Sequence, residues 1–589
     1  MINDASVVIG GGNWGIKEAD VLGYKLINDE YYAREIDFAN STAAGTYTDS
    51  TGVIRKAPYN LLQYSEQFDN AAWSKSASTI GIDATVAPNG TLTADKLQED
   101  SSNSNHLINQ SVANTNSLFS FSIYAKKSER DFIYIQAFGV IPNNFTYVPN
   151  AYFNLNTGVV SSVSGGTATI QDAGNGWYRC ILNCTSIFAQ TSASVGFYIM
   201  PATANGVNSY VGTTGSGIFI WGAQVVQATE ALPYFPTTNR LNVPRIDYRN
   251  ADGSLSTVGR LLIEPQRTNR ILYSEQFDNA AWVKSVATVT ANTTISPDGS
   301  QNADTIAFTA SAIAFCQQIV AGAFESQSHT VSVYAKVASG TATFRLKCTH
   351  GGVLDYFSSD FTATTEWQRF TFTATFGATI GTSIVCGVIN ATNALAKNVI
   401  FYGFQTEANA SYATTYIPTT TASVTRNADV ASKTGVSSWI GQTQGTLFID
   451  FDYNQPTSDS NGRLLQVYGT SDTTNSILPL IYGFGSDVNE FQLTVFSASI
   501  ASIPIPASVS TVVPFGRQKF AIAYNAGVYT VYRNGSLFAS GSGLAPVSLT
   551  AMELGSTTFF ARSLGNPINQ AALFPTRLTN EQLSQLTTL

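Results

Sequence analysis

The sequence predicts an all-β protein made of tandem antiparallel sandwiches, and three observations lead there. Short runs with an apolar residue at every second position, separated by turn residues, recur along nearly the whole chain. That period of two marks half-buried antiparallel strands. A ten-residue segment, Tyr-Ser-Glu-Gln-Phe-Asp-Asn-Ala-Ala-Trp, fills residues 64–73 and returns unchanged at 273–282. Charged residues make up only 12% of the 589, about half the usual ~25%. Ser, Thr, Asn and Gly solubilise the surface instead, as suits a long-lived extracellular or particle-borne β-protein.

The repeat sets the domain plan, because internal repetition decides the architecture before any local pattern does. Its offset, 273 − 64 = 209, is kept by Asn60 and Asn269, Pro88 and Pro297, Gly90 and Gly299, and Asp95 and Asp304. The two units also close alike. The first ends with Trp221-Gly222-Ala223-Gln224 and Tyr234-Phe235-Pro236-Thr237-Thr238, the second with Tyr402-Gly403-Phe404-Gln405 and Tyr416-Ile417-Pro418-Thr419-Thr420. There the offset has fallen to 403 − 222 = 181, so the second unit is expected to have lost loop residues, the part of a fold that tolerates deletion. Shared first and last segments are expected to lie side by side. The boundaries follow: 1–59 an N-terminal arm and hairpin, 60–240 module 1, 241–268 a connector, 269–424 module 2, and 425–589 a different terminal module.

Taken in order, residues 5–9 are a short apolar run followed by Gly10, Gly12 and Gly15. That is the spacing of a dinucleotide-binding fingerprint, but a helix and a parallel strand must follow it, and the chain turns Tyr-rich and β-like. A glycine turn in an attachment arm is the preferred account. Residues 46–54 read as a hairpin turning at 49–52. Module 1 has alternating runs at 119–124, 132–138, 151–155, 177–182, 195–200 and 218–221. In the connectors, Ile36-Asp37-Phe38 is echoed by Ile246-Asp247-Tyr248, and Arg245 and Arg426 follow the two Pro-Thr-Thr segments. The terminal module has a strongly alternating strand at 446–453. Asn534-Gly535 between two alternating runs predicts a type I′ hairpin, whose central residues both need positive φ. Thr579 with Gln582 three residues on forms a capping box, so a helix is predicted over 579–586 with Leu583 and Leu586 facing inward.

Composition excludes several classes of function. Net charge is −8 with no Lys/Arg cluster, so no nucleic-acid partner is expected. No apolar run approaches the ~18 residues of a membrane span. The N-terminus lacks the basic and apolar regions of a secretory signal. Five cysteines, Cys180, Cys184, Cys316, Cys348 and Cys386, are odd in number and sparse, so buried free thiols are expected rather than a disulfide framework.

The Asn60-Leu-Leu start and the ten-residue repeat resemble a module of tailed-bacteriophage virion proteins, similar in turn to jelly-roll carbohydrate-binding modules. Residues 261–269, Leu-Leu-Ile-Glu-Pro-Gln-Arg-Thr-Asn, resemble the lead-in of those phage proteins. The terminal module, through Val531-Tyr-Arg-Asn-Gly535 and the run 571–579, resembles concanavalin A/laminin-G-like lectin sandwiches. The resemblance implies a virion location, on tail or head, and a tail- or head-attached fibre or adhesin. Its N-terminal arm would dock on other virion proteins and its C-terminal sandwich would bind a host-surface glycan. It further implies a homo-oligomer, most commonly a trimer in phage fibres. An architectural tail, neck or capsid-decorating role is the alternative, and a polysaccharide depolymerase the next.

Site residues follow from the same sources. Such modules hold a structural calcium through carbonyls near the first strand, which points to Glu66 and Asp69 and to their repeats Glu275 and Asp278. Gln224 and Gln405 stand where the last strand would carry Asp. No other cofactor is implied. Trp73 and Trp282 are framework residues, since an aromatic kept in both units favours packing over sugar stacking. In the terminal module Arg463, Tyr468, Asp487 and Asn489 stand in turn-rich stretches and are the candidate carbohydrate-binding residues. Catalysis is not expected: His106, His329 and His350 stand apart from any nucleophile-and-acid pattern. Asp450 and Asp452 share a strand face, the requirement for glycoside cleavage by two carboxylates, but a solvated strand edge accounts for them too.

Overall fold

The computed structural model describes residues 4–589 except 12–13, 18–19, 28–29, 40–44, 58–59, 114–117, 142–144, 186–193, 229, 239–243, 251, 312, 323–327, 351–355, 378–382, 455–461, 472, 483–488 and 558–561. Contacts divide the chain into two compact units, residues 58–243 and residues 1–57 with 244–589.

The first unit is a sandwich of two antiparallel sheets. One runs Val159–Ser164, Asn150–Asn154, Phe132–Ile141, Ser194–Ala202, Leu107–Ala113, Ser74–Ser76. The other runs Gly166–Gly174, Trp177–Cys184, Ser120–Lys127, Gly217–Val226, Ala94–Glu99, Ser78–Thr85. Alternation places Phe121, Ile123, Ile133, Ile135, Leu182 and Phe197 inside, and Phe121 meets Phe197 from the opposite sheet with ring centroids 5.3 Å apart.

Module 2, in the second unit, repeats this order strand for strand. Its sheets run Val283–Ser285, Phe315–Ala321, Ser383–Asn390, Ala342–His350, Phe361–Ala363 and Ala287–Thr294, Ala303–Phe308, Lys397–Ala408, Ser328–Lys336, Gln368–Thr375. What it lacks is the outermost strand of each module 1 sheet, Val159–Ser164 and Gly166–Gly174. The fall in offset is therefore largely a pair of edge strands, not the loop residues expected. An edge strand is paired on one side only, so both sheets close equally well one strand earlier.

The first 59 residues do not form a separate arm, which corrects the expectation. Val7–Gly10 pairs with Ile568–Phe574; Asp20–Ile27 pairs with Glu30–Ala39, which pairs in turn with Val430–Thr434. The connector joins too, through Leu261 opposite Ile568. Residues from the start, the connector and the last 160 positions thus share one core, Val7, Ile36, Phe38, Leu261, Ile449 and Phe520 among them. Their strands form a single closed antiparallel set. Module 2 rises from this body through a short ladder in which Arg267–Asn269 pairs with Val424–Arg426.

Local predictions hold where turn chemistry dictates them. Asn534 and Gly535 take φ of +46° and +85° between Val528–Arg533 and Ser536–Ser542. The helix Asn580–Thr587 carries the Thr579/Gln582 capping box, with Leu583 buried. Gly10 ends an antiparallel strand, and strands Gly15–Lys17 and Asp20–Ile27 follow it, so the glycine run has no dinucleotide-binding context. All five cysteines are buried and free.

Candidate functional site

The repeated ten residues are a run of turns, not a strand, and the two copies are superimposable in their bonding. Asn60 Nδ2 donates to the carbonyls of Ala223 (2.8 Å) and Phe235 (3.2 Å). Asn269 Nδ2 does the same to Phe404 (3.2 Å) and Ile417 (2.8 Å), so the shared first and last segments do lie side by side. Tyr64 and Tyr273 take φ of +50° and +48°, which turns their carbonyls to accept the indole N–H of Trp73 and Trp282, each at 3.0 Å. The indoles are 2% and 1% exposed and pack on Phe68 and Phe277. They are framework, as the repetition implies.

The residues expected to hold calcium make other contacts. Lys75 Nζ donates to the carbonyls of Asp69 (3.0 Å), Asn70 (2.9 Å) and Trp73 (3.0 Å); Lys284 Nζ donates to those of Asp278 (2.8 Å) and Asn279 (2.7 Å). An ammonium thus already occupies the carbonyl cluster that a cation would use. Asp69 and Asp278 are exposed, and Glu66 and Glu275 bind tyrosine hydroxyls. Tyr234 donates to Glu66 (3.0 Å); Tyr402 (3.1 Å) and Tyr416 (3.2 Å) donate to Glu275. Among the described residues no group of three or more His, Cys, Asp or Glu is placed to hold a metal. The conserved-offset pair Asp95 and Asp304 accepts backbone N–H groups instead, from Phe68 and Asp83 and from Phe277 and Asn292. Burial pushes the Asp95 carboxyl up to about 6 against those hydrogen bonds.

Of the residues expected to contact sugar, Arg463 and Tyr468 are 4% and 5% exposed, because both lie on strands of the closed set, not in turns. Tyr468 Oη donates to Glu553 (3.4 Å). Asn489 accepts the Tyr453 hydroxyl (2.6 Å), and Asp487 lies outside the described residues. Arg463 and Tyr468 are therefore part of the packed body.

Two clefts lie elsewhere. The first encloses about 400 Å³ on the terminal body. Its floor is the strand bearing Asp450 and Asp452, paired on one side with Gly516–Asn525 and on the other with Ile568–Phe574; its rim is the connector hairpin Ile246–Arg249 and Leu255–Leu261. Asp450, only 2% exposed, takes a two-point contact from Arg517 (Nε 3.0 Å, Nη2 2.7 Å). Asp452 takes one from Arg260 (2.6 Å). Asn569 Nδ2 bridges the two carboxylates, 3.2 Å from each. The solvated strand edge expected for these acids is thus a fixed lattice of guanidinium, carboxylate and amide groups. Only spacing by two was visible in the sequence; the partners come from positions 260, 517 and 569.

The second cleft, about 510 Å³, lies where module 2 meets the connector and the terminal body. Trp367, Gln368, Arg249, Asp252, Asn454 and Asn566 are on its wall. Trp367 is fixed by its indole N–H, donated to the Ile295 carbonyl (3.2 Å), and by Lys336, 5.2 Å over the ring. Beneath it lies a buried ionic cluster. Glu264 accepts Arg245 and Arg426 (both 2.8 Å), and Arg245 also pairs with Asp429. Burial alone would push Glu264 up, but Arg426 and Arg245 outweigh it and hold the carboxyl at about 2. The Arg245 and Arg426 noted in the sequence as hand-over residues are its two cations.

No protein-family model matches the chain, and no curated protein does. Solved structures that it resembles are carbohydrate-binding modules. One is the CBM40 of the Ruminococcus gnavus IT-sialidase bound to α2,3-sialyllactose, 16% identical over 25% of this chain and 84% of that one, TM-score 0.21. Another is the CBM22-1–CBM22-2 tandem domain of Paenibacillus barcinonensis Xyn10C, 11% identical over 60% and 98%, TM-score 0.24. Superposition that loose carries no argument about ligand; the sandwich fold rests on the sheets described above.

Proposed function

We propose that the chain is a phage virion protein, a tail- or head-attached adhesin, that binds host-surface glycan. One observation carries this reading: the first cleft. Sugars are recognised by hydroxyls that each donate and accept, and a fixed array of Asp, Arg, Asn and Gln presents both functions in one small concavity. Glycoside cleavage would need one carboxyl held as a proton donor, whereas both acids here are committed to guanidinium groups, so binding is favoured over depolymerisation. Because residues 7–39 are strands of the terminal body, a free N-terminal docking arm is not part of the proposal.

Binding of the full chain to an array of bacterial capsular and O-antigen glycans tests it. Retention of a glycan, lost in Asn569→Ala and Arg517→Ala, supports the adhesin. No retention on any glycan, with particles that fail to assemble without the protein, would establish the architectural role instead. Release of reducing sugar from those glycans would establish a depolymerase.

A further inference from the structure

We infer that the two clefts are halves of one track that takes a linear oligosaccharide across the connector hairpin, not a single terminal sugar. This rests on the glycan-binding reading above and adds the length and course of the ligand.

Three elements carry the track across the boundary. Asn250, at the hairpin turn, lines both clefts. Along the floor strand and its end, Asp452 faces the first cleft and Asn454 the second. On the neighbouring segment Asn569 and Gln570 face the first, Asn566 and Pro567 the second. The boundary is therefore crossed within a few residues on every wall, with polar side chains on both sides of it.

The walls are also preorganised. Asn250 Nδ2 donates to Ser254 Oγ (2.9 Å) and its Oδ1 accepts from Arg260 (3.0 Å), the same arginine that binds Asp452. Asn566 Oδ1 accepts the Asn454 backbone N–H (2.8 Å). Side chains already held in place lose little freedom when a ligand arrives. The halves differ in chemistry: the first is a charged and amide lattice for hydroxyls, and the second adds the part-buried indole of Trp367, an apolar contact whose ring already carries Lys336. Each volume falls in the range of roughly 300–1,000 Å³ typical of a single ligand site, so the pair accommodates a chain of sugar rings.

The test uses the full chain and capsular or O-antigen oligosaccharides one, two and four repeats long, with affinity measured by titration calorimetry. Affinity should rise with length. Trp367→Ala should weaken the longest probe about tenfold while leaving the shortest within about twofold, and Trp367→Phe should restore most of the loss. Thermal melting of each variant confirms that it is folded. Length-independent affinity, or full binding of the longest probe by Trp367→Ala with loss only in Asn569→Ala, overturns the track but leaves the first cleft as a glycan site. Failure of every probe to bind the wild-type chain overturns both.

Discussion

Modules 1 and 2 share a framework down to single hydrogen bonds, yet they are built into the molecule differently. Each has the Asn that ties the first segment to the last, the left-handed Tyr, the buried Trp and the Lys seated on carbonyls. They diverge where module 1 has Trp221 and module 2 has Tyr402. The Trp221 indole N–H is buried and finds no acceptor among the described residues. The Tyr402 hydroxyl lies within hydrogen-bond distance of Glu275 and Asp298, in a patch where Ile54 of the 46–56 hairpin also packs and its N–H bonds the Pro297 carbonyl (2.8 Å). Beside it lies the Glu264 cluster. Module 1 coheres as a unit of its own, whereas module 2 is fastened to the terminal body. A repeated fold is thus adapted by residues that lie mostly outside the repeat.

The largest effect expected from disturbing this contrast is at Glu264. Glu264→Gln leaves the buried Arg245 and Arg426 without the carboxylate they share, and breaking a buried pair costs about 3–5 kcal/mol. Denaturant unfolding should show that loss in the transition of residues 1–57 and 244–589 and no change in that of 58–243. A single shared transition would sink the two-unit description.

Next come the lysines. Lys75→Met and Lys284→Met each leave two or three carbonyls without their charged donor, costing about 1–3 kcal/mol, each in its own unit. Added calcium or a chelator should leave the wild-type melting temperature unchanged; stabilisation by calcium would restore the metal site argued against above.

A smaller effect is expected with pH. Burial pushes the Asp95 carboxyl up to about 6 in the fold, above the usual carboxylate range, so the native state binds the proton more tightly than the unfolded chain. Its contribution is then most favourable at low pH and is lost as pH rises through about 6. Melting of residues 58–243 should shift upward from this group between pH 7 and 5, and the shift should vanish in Asp95→Asn.

The smallest is a swap that makes the modules more alike. Trp221→Tyr replaces an indole N–H lacking a partner with a hydroxyl near Glu66, and should change stability by less than about 1 kcal/mol. A large destabilisation would show that the indole's volume, not its N–H, decides the position.

Much of the fold was legible in the sequence because its causes are local. Period-two runs located the six module 1 strands at 120–127, 132–141, 150–154, 177–184, 194–202 and 217–226 but not their neighbours, Asn534-Gly535 gave a hairpin, and Thr579 with Gln582 gave the helix. The site was less legible. Arg463 and Tyr468 sit among turn residues in sequence, but Tyr468 is buried against Ala551–Leu554, a strand set by long-range pairing. Asp450 and Asp452 were visible as a pair, yet their arginines lie 67 and 192 residues away. Lys75 and Lys284 carry a readable signal, a cation two residues beyond each repeated Trp. The weaving of residues 7–39 into the terminal body left no local mark at all.

That weaving constrains how the protein is made. Val8 faces Ala572 across a ladder, a separation of 572 − 8 = 564 residues, so strands synthesised first wait for nearly the whole chain before finding their neighbours. Contacts this distant make folding slow and leave unpaired edges exposed meanwhile, while the strands of residues 58–243 pair with one another. Nascent chains halted on the ribosome at residue 560 should yield a protease-resistant core from 58–243 and nothing comparable from 7–39; early protection of those strands would show that they are shielded by another route.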